Sequence, residues 1–353
     1  MVLRCLNRPR LAASRTRPVA DPAKELRREA NCYNSSMSEY LFAFQSSTTQ
    51  AGFLRAPPLA ARPAARYLVA GVPWDGATTN RPGARFGPGE IRRASHMLCD
   101  GIHPGYGLAP LPELADCGDL NLPNTSLEGM RAVLEPQALE LVRRHHMAWL
   151  GGDHSITLSL LRAYRRHFGR PLALLHFDAH CDTWDTHFDE PSGHGTWVYE
   201  ALRDGLIDPH LSVQVGIRSA AARATANYVA DRGGLIYTGR DLRGLHNSAQ
   251  LAPVTAAVRA RLGAADSPPV YLSFDIDCLD PAFAPGTGTP EPGGLATVQA
   301  LTLLEDLDTL NFVGMDLCEV APPYDHAELT SNAAANLVWT YLCGRVARQA
   351  RAA

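Results

Sequence analysis

Two short segments concentrate residues able to hold cations: Asp178-Ala179-His180-Cys181-Asp182 and Asp275-Ile276-Asp277. In extended backbone, side chains at alternate positions point to one side. Asp178, His180 and Asp182 are then expected to converge, as are Asp275 and Asp277. Each segment ends an apolar run. Carboxylates crowded in this way repel one another and resist desolvation unless a cation neutralises them. A bound divalent metal is the simplest reading, and the number of ligands suggests two ions.

The elements that must position these groups are also legible. From Arg66 onward, β-type apolar runs alternate with helical patterns. The strand candidates are Arg66–Val72, Ala115–Leu120, Met147–Leu150, Leu172–Phe177, Ser212–Ile217, Leu235–Tyr237, Val270–Phe274 and Phe312–Met315. Amphipathic stretches lie between and after them: Glu128–His146, Ser155–Phe168, Thr196–Asp204, Val254–Leu262, Thr297–Leu307 and Glu328–Gln349. This alternation predicts an α/β fold, a three-layer α/β/α sandwich around a mostly parallel eight-stranded sheet. Ligands in such sheets bind beyond the carboxyl ends of the strands. His154, Asp178, Asp275 and Glu319 each follow the end of a different strand candidate. That placement says more than any one motif.

Composition narrows the classes. A chain of 353 residues, 46% hydrophobic and 20% charged, suits a soluble globular protein with a large core. A net charge of -3 argues against a nucleic-acid partner. No run of 18 apolar residues offers a membrane span. The eight cysteines are scattered without a CxxC pair and read as reduced thiols. Lys24 is the only lysine, an arginine bias of the kind GC-rich coding gives. Residues 1–36 are Arg-rich, with no acid before Asp21. They read as a disordered basic extension or an upstream start before Met37, and alternatively as a mitochondrial transit peptide. Residues 37–65 read as an N-terminal arm, and 66–350 as one catalytic domain. A cytoplasmic location is expected, or a mitochondrial one if the first segment is a transit peptide.

These motifs together resemble the ureohydrolase family of arginase, agmatinase and relatives. The matching segments are Gly151-Gly152-Asp153-His154, Asp178 to Asp182, His194-Gly195-Thr196 and Ser273 to Pro281. Pro285 to Pro290, Glu319-Val320-Ala321-Pro322 and Asn80 to Pro88 match as well. The resemblance implies two Mn²⁺ ions per subunit. One would be held by His154, Asp178, Asp182 and Asp275, and the other by His180, Asp178, Asp275 and Asp277. Oxygen-rich sets with one imidazole per ion agree with manganese, whereas structural zinc would favour thiolates. Cys181 and Cys278 are expected to point away. The implied reaction is attack of a metal-bridging hydroxide on a guanidino carbon. Glu319 would orient the planar cation, and His194 would shuttle the proton to the leaving amine.

Other residues have structural readings. His187 reads as solvated. His145, His146 and His167 lie near helix C-termini, where they offset the helix dipole. Gly286 to Pro290 reads as a tight turn near the site, because the lysine of a phosphate loop is missing. Asp280 reads as a turn residue.

The substrate reading rests on the loop Asp185 to His194. It has no Asn of the kind arginases use for an amino-acid end, and with Trp184 and Asp204 to Pro209 it looks more like agmatinases. Asp185, Asp189 and Glu190 would favour a distal ammonium over a distal carboxylate. The expected activity is hydrolysis of agmatine to putrescine and urea. The alternatives are a guanidino-acid hydrolase acting on 4-guanidinobutyrate or 3-guanidinopropionate, an arginase, a zinc amide hydrolase of deacetylase type and a non-enzymatic relative. The family also implies a homo-oligomer, a trimer or hexamer, with no membrane partner.

Overall fold

The apolar runs become eight strands in the computed structural model, whose described residues are 52–263 and 268–352. These are β1 (Tyr67–Val72), β2 (Leu114–Asp119), β3 (His146–Gly151), β4 (Leu172–Phe177), β5 (Ile207–Ile217), β6 (Leu235–Thr238), β7 (Val270–Asp275) and β8 (Phe312–Cys318). Their order across the sheet is β2-β1-β3-β8-β7-β4-β5-β6. Every neighbouring pair is parallel. β1, β4 and β7 are buried along their whole length, which is why they read as unbroken apolar runs rather than alternating ones.

Among the described residues, eight helices connect and cover the strands: α1 (Gly87–Ser95), α2 (Leu127–Val142), α3 (Ile156–Phe168), α4 (Trp197–Arg203), α5 (Arg223–Ala226), α6 (Ser248–Leu262), α7 (Thr297–Asp306) and α8 (Leu329–Ala352). One layer packs α1 on α8, α8 on α7 and α7 on α6, and a second packs α2 on α3 and α3 on α4. The fold is the expected three-layer α/β/α sandwich, here with a wholly parallel sheet. No helix among the described residues is long and apolar enough to cross a membrane. Expectations for residues 1–36, and for the arm as far as residue 51, lie outside the described residues.

Some boundaries differ from the sequence reading. The helix expected over Glu128–His146 stops at Val142, and His146 opens β3 instead. Periodicity cannot register that change, because an amphipathic pattern runs on into the turn. The helix expected from Val254 begins at Ser248. Pro253 argues locally for a break, but the Asn247 side chain accepts a hydrogen bond from the Gln250 amide and starts the helix a turn earlier. Helix α1 has no counterpart in the sequence reading. Its opening Gly87-Pro88-Gly89 looks like a loop, yet a proline suits the first turn, where its missing N–H costs nothing.

The arm is tied to the sheet by one carboxylate. Buried Asp116 on β2 accepts from the Phe53 amide at 2.7 Å and from Arg92 Nε on α1 at 2.8 Å. Arg92 also pairs with Asp119. Replacing Asp116 by Ala leaves a buried guanidinium half paired, so urea unfolding of Asp116→Ala is expected to show a loss of about 3 kcal/mol.

Candidate active site

Four neighbouring central strands, β3, β8, β7 and β4, deliver the acidic and imidazole groups at their carboxyl ends. β3 runs into Gly151-Gly152, where the chain passes so close to Trp74 that a Cβ on Gly152 would sit 1.7 Å from its carbonyl oxygen. Only glycine fits there, and the turn aims His154 inward from the start of α3. The segments after β4 and β7 converge, but not as extended backbone. Asp178 Oδ1 accepts the His180 amide at 2.6 Å, and Asp275 Oδ1 accepts the Asp277 amide at 2.8 Å. Asp182 adopts φ 53°. Each segment therefore curls on its own leading carboxylate, and the alternation argument reached the right cluster through the wrong geometry.

His154 Nδ1 lies 3.1 Å from Asp178 Oδ2, 3.3 Å from Asp182 Oδ2 and 3.2 Å from Asp275 Oδ2. His180 Nδ1 lies 3.0 Å from Asp277 Oδ2 and 3.4 Å from Asp178 Oδ1. Asp178 thus belongs to two ligand groups, one around His154 and Asp182 and one around His180 and Asp277. Burial by itself would discharge both imidazoles, but the facing acids overcome it and hold both pKa values well above normal. Burial, Asp277 and Asp178 push Asp275 well up, and burial and Asp178 push Asp182 up. The cluster calls for positive charge.

The residues fit a metal. His154 Nδ1 is buried and has no hydrogen-bond partner, although three carboxylate oxygens face it. Its other nitrogen, Nε2, is 2.8 Å from Ser273 Oγ, and that hydroxyl donates to Asp316 Oδ1 at 2.7 Å. Ser273 therefore accepts from Nε2–H, which turns the Nδ1 lone pair toward the carboxylates. A lone pair opposite three anionic oxygens is a ligand shell for a cation. Cys181 and Cys278 are buried free thiols outside these ligand groups.

A supporting layer went unread in the sequence. His176 Nε2 meets Asp178 Oδ2 at 2.8 Å, and Trp197 Nε1 donates to Asp182 Oδ2 at 2.6 Å. Arg218 donates to the carbonyl oxygens of Asp277, at 2.8 Å, and Cys278, stapling the turn after β7. Thr289 Oγ1 donates to Asp277 Oδ2, so the Gly286 to Pro290 turn reaches the site. Asp280 accepts three amides, those of Ala282, Gly293 and Gly294, as a turn residue does. The available signal was polar residues (His176, Ser273, Asp316) inside strands that are otherwise apolar.

Glu319 follows β8 directly and is held at φ 65°, a left-handed conformation costly for a non-glycine residue. Its Oε1 accepts from the His154 amide at 2.9 Å and lies 3.0 Å from His194 Nδ1. The Thr79 amide donates to His194 Nε2 at 3.2 Å, and the Thr79 hydroxyl is 2.8 Å from the same atom. Burial opposes a charge on His194, but the bond to Glu319 overcomes it and raises the pKa to about 9. Asp153 accepts from the Ala77 amide at 2.8 Å and is raised to about 6 by burial and by Glu319.

A cleft of about 360 Å³ opens onto His154, His180, Asp182, His194 and Asp275, with Thr79, Asn80, Trp184, His187, Phe188 and Ser219 among its other walls; Glu319 lies behind His194 and does not line it. His187 is no solvated bystander: its ring stacks on Trp184, with centroids 5.3 Å apart. His146 is a strand residue bonded to Tyr341 rather than a helix-dipole partner. Asp185, Asp189 and Glu190 are exposed and do not line the cleft, and among the described residues no arginine or lysine lines it.

The arginase family model matches residues 65–344. The chain belongs to the arginase family. It is a ureohydrolase. Among curated relatives it is 44% identical over 285 residues to an agmatinase of Chromobacterium violaceum, covering 78% of this chain and 82% of that protein. It resembles the crystal structure of a hypothetical agmatinase from Burkholderia thailandensis, with a TM-score of 0.77 and 38% identity, covering 87% of this chain and 93% of that one. It also resembles proclavaminate amidino hydrolase from Streptomyces clavuligerus, with a TM-score of 0.76 and 34% identity, covering 85% and 98%.

Two outcomes follow from the cluster. Adding Mn²⁺ to chelator-stripped protein is expected to raise Tm, because it relieves repulsion among buried acids. Ser273→Ala is expected to weaken Mn²⁺ binding roughly 10–100-fold in equilibrium dialysis, because His154 loses its orienting partner.

Proposed function

We propose that the chain hydrolyses agmatine to putrescine and urea with two Mn²⁺ ions. The observation that carries the reading is the buried His154 Nδ1, faced by three carboxylates and lacking a donor, in a member of a guanidine-cleaving family. One ion would be held by His154, Asp178, Asp182 and Asp275, and the other by His180, Asp178, Asp275 and Asp277. When bound, such a pair lowers the pKa of water and supplies hydroxide at neutral pH.

The chain's own residues do the rest. Glu319 pairs with the planar guanidinium and fixes its orientation, as carboxylates do with bidentate cations. His194 delivers a proton to the leaving amine. Nδ1–H donates to Glu319, which leaves Nε2 as the atom that gives up the proton; the neutral ring then accepts the Thr79 amide there, whereas the charged ring meets that N–H with its own and donates only to the Thr79 hydroxyl.

The substrate reading rests on the cleft and on the relatives. Among the described residues, a distal carboxylate would find no arginine or lysine on the walls, whereas an ammonium would meet Asn80, Thr79 and aromatic rings. Several relatives at 41–44% identity carry the name agmatinase. The likeness to proclavaminate amidino hydrolase keeps a guanidino acid as the second reading. Making putrescine would give the enzyme a role in polyamine biosynthesis, in the cytoplasm and as a homo-oligomer.

Urea release from agmatine is expected to exceed that from arginine or 4-guanidinobutyrate at least tenfold in kcat/KM, with all activity lost in chelator. Faster turnover of the acid would overturn the choice of substrate. His194→Phe is expected to keep both ions and lose about 10²–10⁴-fold in kcat.

A further inference from the structure

The loop that carries His194 is gripped from beneath by an acid that plays no part in the reaction proposed above. Glu200 sits on α4 and is 4% exposed. Its Oε1 accepts from the Ser192 hydroxyl at 2.6 Å and from the Thr196 hydroxyl at 2.8 Å. Thr196 Oγ1 in turn accepts the Gly193 amide at 2.9 Å. One carboxylate oxygen therefore holds both flanks of Gly193-His194-Gly195. The two glycines leave that tripeptide intrinsically loose, and its backbone ties are long: the Trp184 amide reaches the Gly195 carbonyl at 3.3 Å and the Thr196 amide the Gly193 carbonyl at 3.4 Å. The His194 amide reaches the Ala77 carbonyl only at 3.4 Å.

Two guanidinium groups stand near the Glu200 carboxylate. Arg131 of α2 brings Nη2 to 4.0 Å from Glu200 Oε1, and Arg203 stands 3.9 Å from Oε2. Arg131 Nε and Nη2 are buried without a hydrogen-bond partner. A guanidinium kept there without direct contacts makes sense as a counter-charge for Glu200. A charged acceptor grips hydroxyl donors about twice as strongly as a neutral one.

We infer that Glu200 is a positioning residue: clamping the Ser192 and Thr196 hydroxyls, it fixes the loop so that His194 Nδ1 stays on Glu319 Oε1. It touches no reacting atom and acts only through His194. A displacement of about 1 Å at a proton-transfer group can cost on the order of 10²-fold in rate. The inference rests on the role of His194 proposed above, but not on the identity of the substrate.

The test uses the full chain loaded with Mn²⁺ and whichever guanidine the parent enzyme turns over fastest. Glu200→Ala is expected to lower kcat roughly 10–100-fold while KM and bound manganese stay within about twofold. Glu200→Gln keeps a neutral acceptor oxygen and is expected to recover part of that loss. Ser192→Ala removes one half of the grip and should fall in between; it also serves as the test if Glu200→Ala does not fold. The deciding measurement is a double-variant cycle. In a His194→Asn background, Glu200→Ala is expected to cost nothing further. Equal, additive losses in both backgrounds would overturn the inference, as would a fall in bound manganese that accounts for the lost rate. Full activity in His194→Asn alone would instead sink the role given to His194, a result separable from the others.

Discussion

The structure turns on the burial of like charges. Asp178, Asp182, Asp275 and Asp277 lie within a few ångströms of one another, each nearly or fully shielded from water. In a low-dielectric interior, such a group is sustained only by compensating charge and saturated hydrogen bonding. Almost every polar detail around it serves that need. Backbone amides of His180, Asp277 and Ala179, the indole of Trp197 and the ring of His176 all point at carboxylate oxygens. What they leave unsatisfied is concentrated at His154 Nδ1, where the cation-binding reading begins.

The backbone carries part of the cost. Asp182 and Glu319 both adopt left-handed φ angles that ordinary side chains avoid. Each such residue costs about 1–3 kcal/mol and persists only where its surroundings over-determine it. Glu319 directly follows β8 and Asp182 lies in the turn beyond β4, where leaving the regular ladder gathers both side chains toward His154. Glu319 shows the reason plainly. Its amide bonds to the Gly152 carbonyl and its carboxylate to the His154 amide, so the ends of β3 and β8 are sewn together through a single residue.

The sheet and the cluster were legible for different reasons. Parallel strands buried on both faces leave continuous apolar runs, and acids placed just beyond them stand out. The Asp178 and Asp275 segments could be read as converging although their real backbone is a pair of self-capped turns, because the tight turn and the extended zigzag both gather alternate carboxylates. Lateral partners were not legible. Ser273 supports His154 across a long stretch of sequence, and Thr79 meets His194 from a loop that looks unremarkable in one dimension. In the segment Asp185 to Glu190, sequence shows which residues the loop contains but not which of them line the cleft, where Phe188 stands and the acids do not. Helix ends failed where tertiary context outvoted local preference, as at Pro253.

The strand order has a further consequence. The four strands that feed the cluster stand side by side in the middle of an eight-stranded sheet, with two strands beyond them on either side. Fraying begins at margins, so the outer strands can open and close while the interior stays shut. Dismantling the centre requires cooperative loss of the whole sheet. An ion held there would exchange with solvent through the mouth of the cleft rather than by transient opening of the scaffold, and that doorway would set its lifetime in the protein.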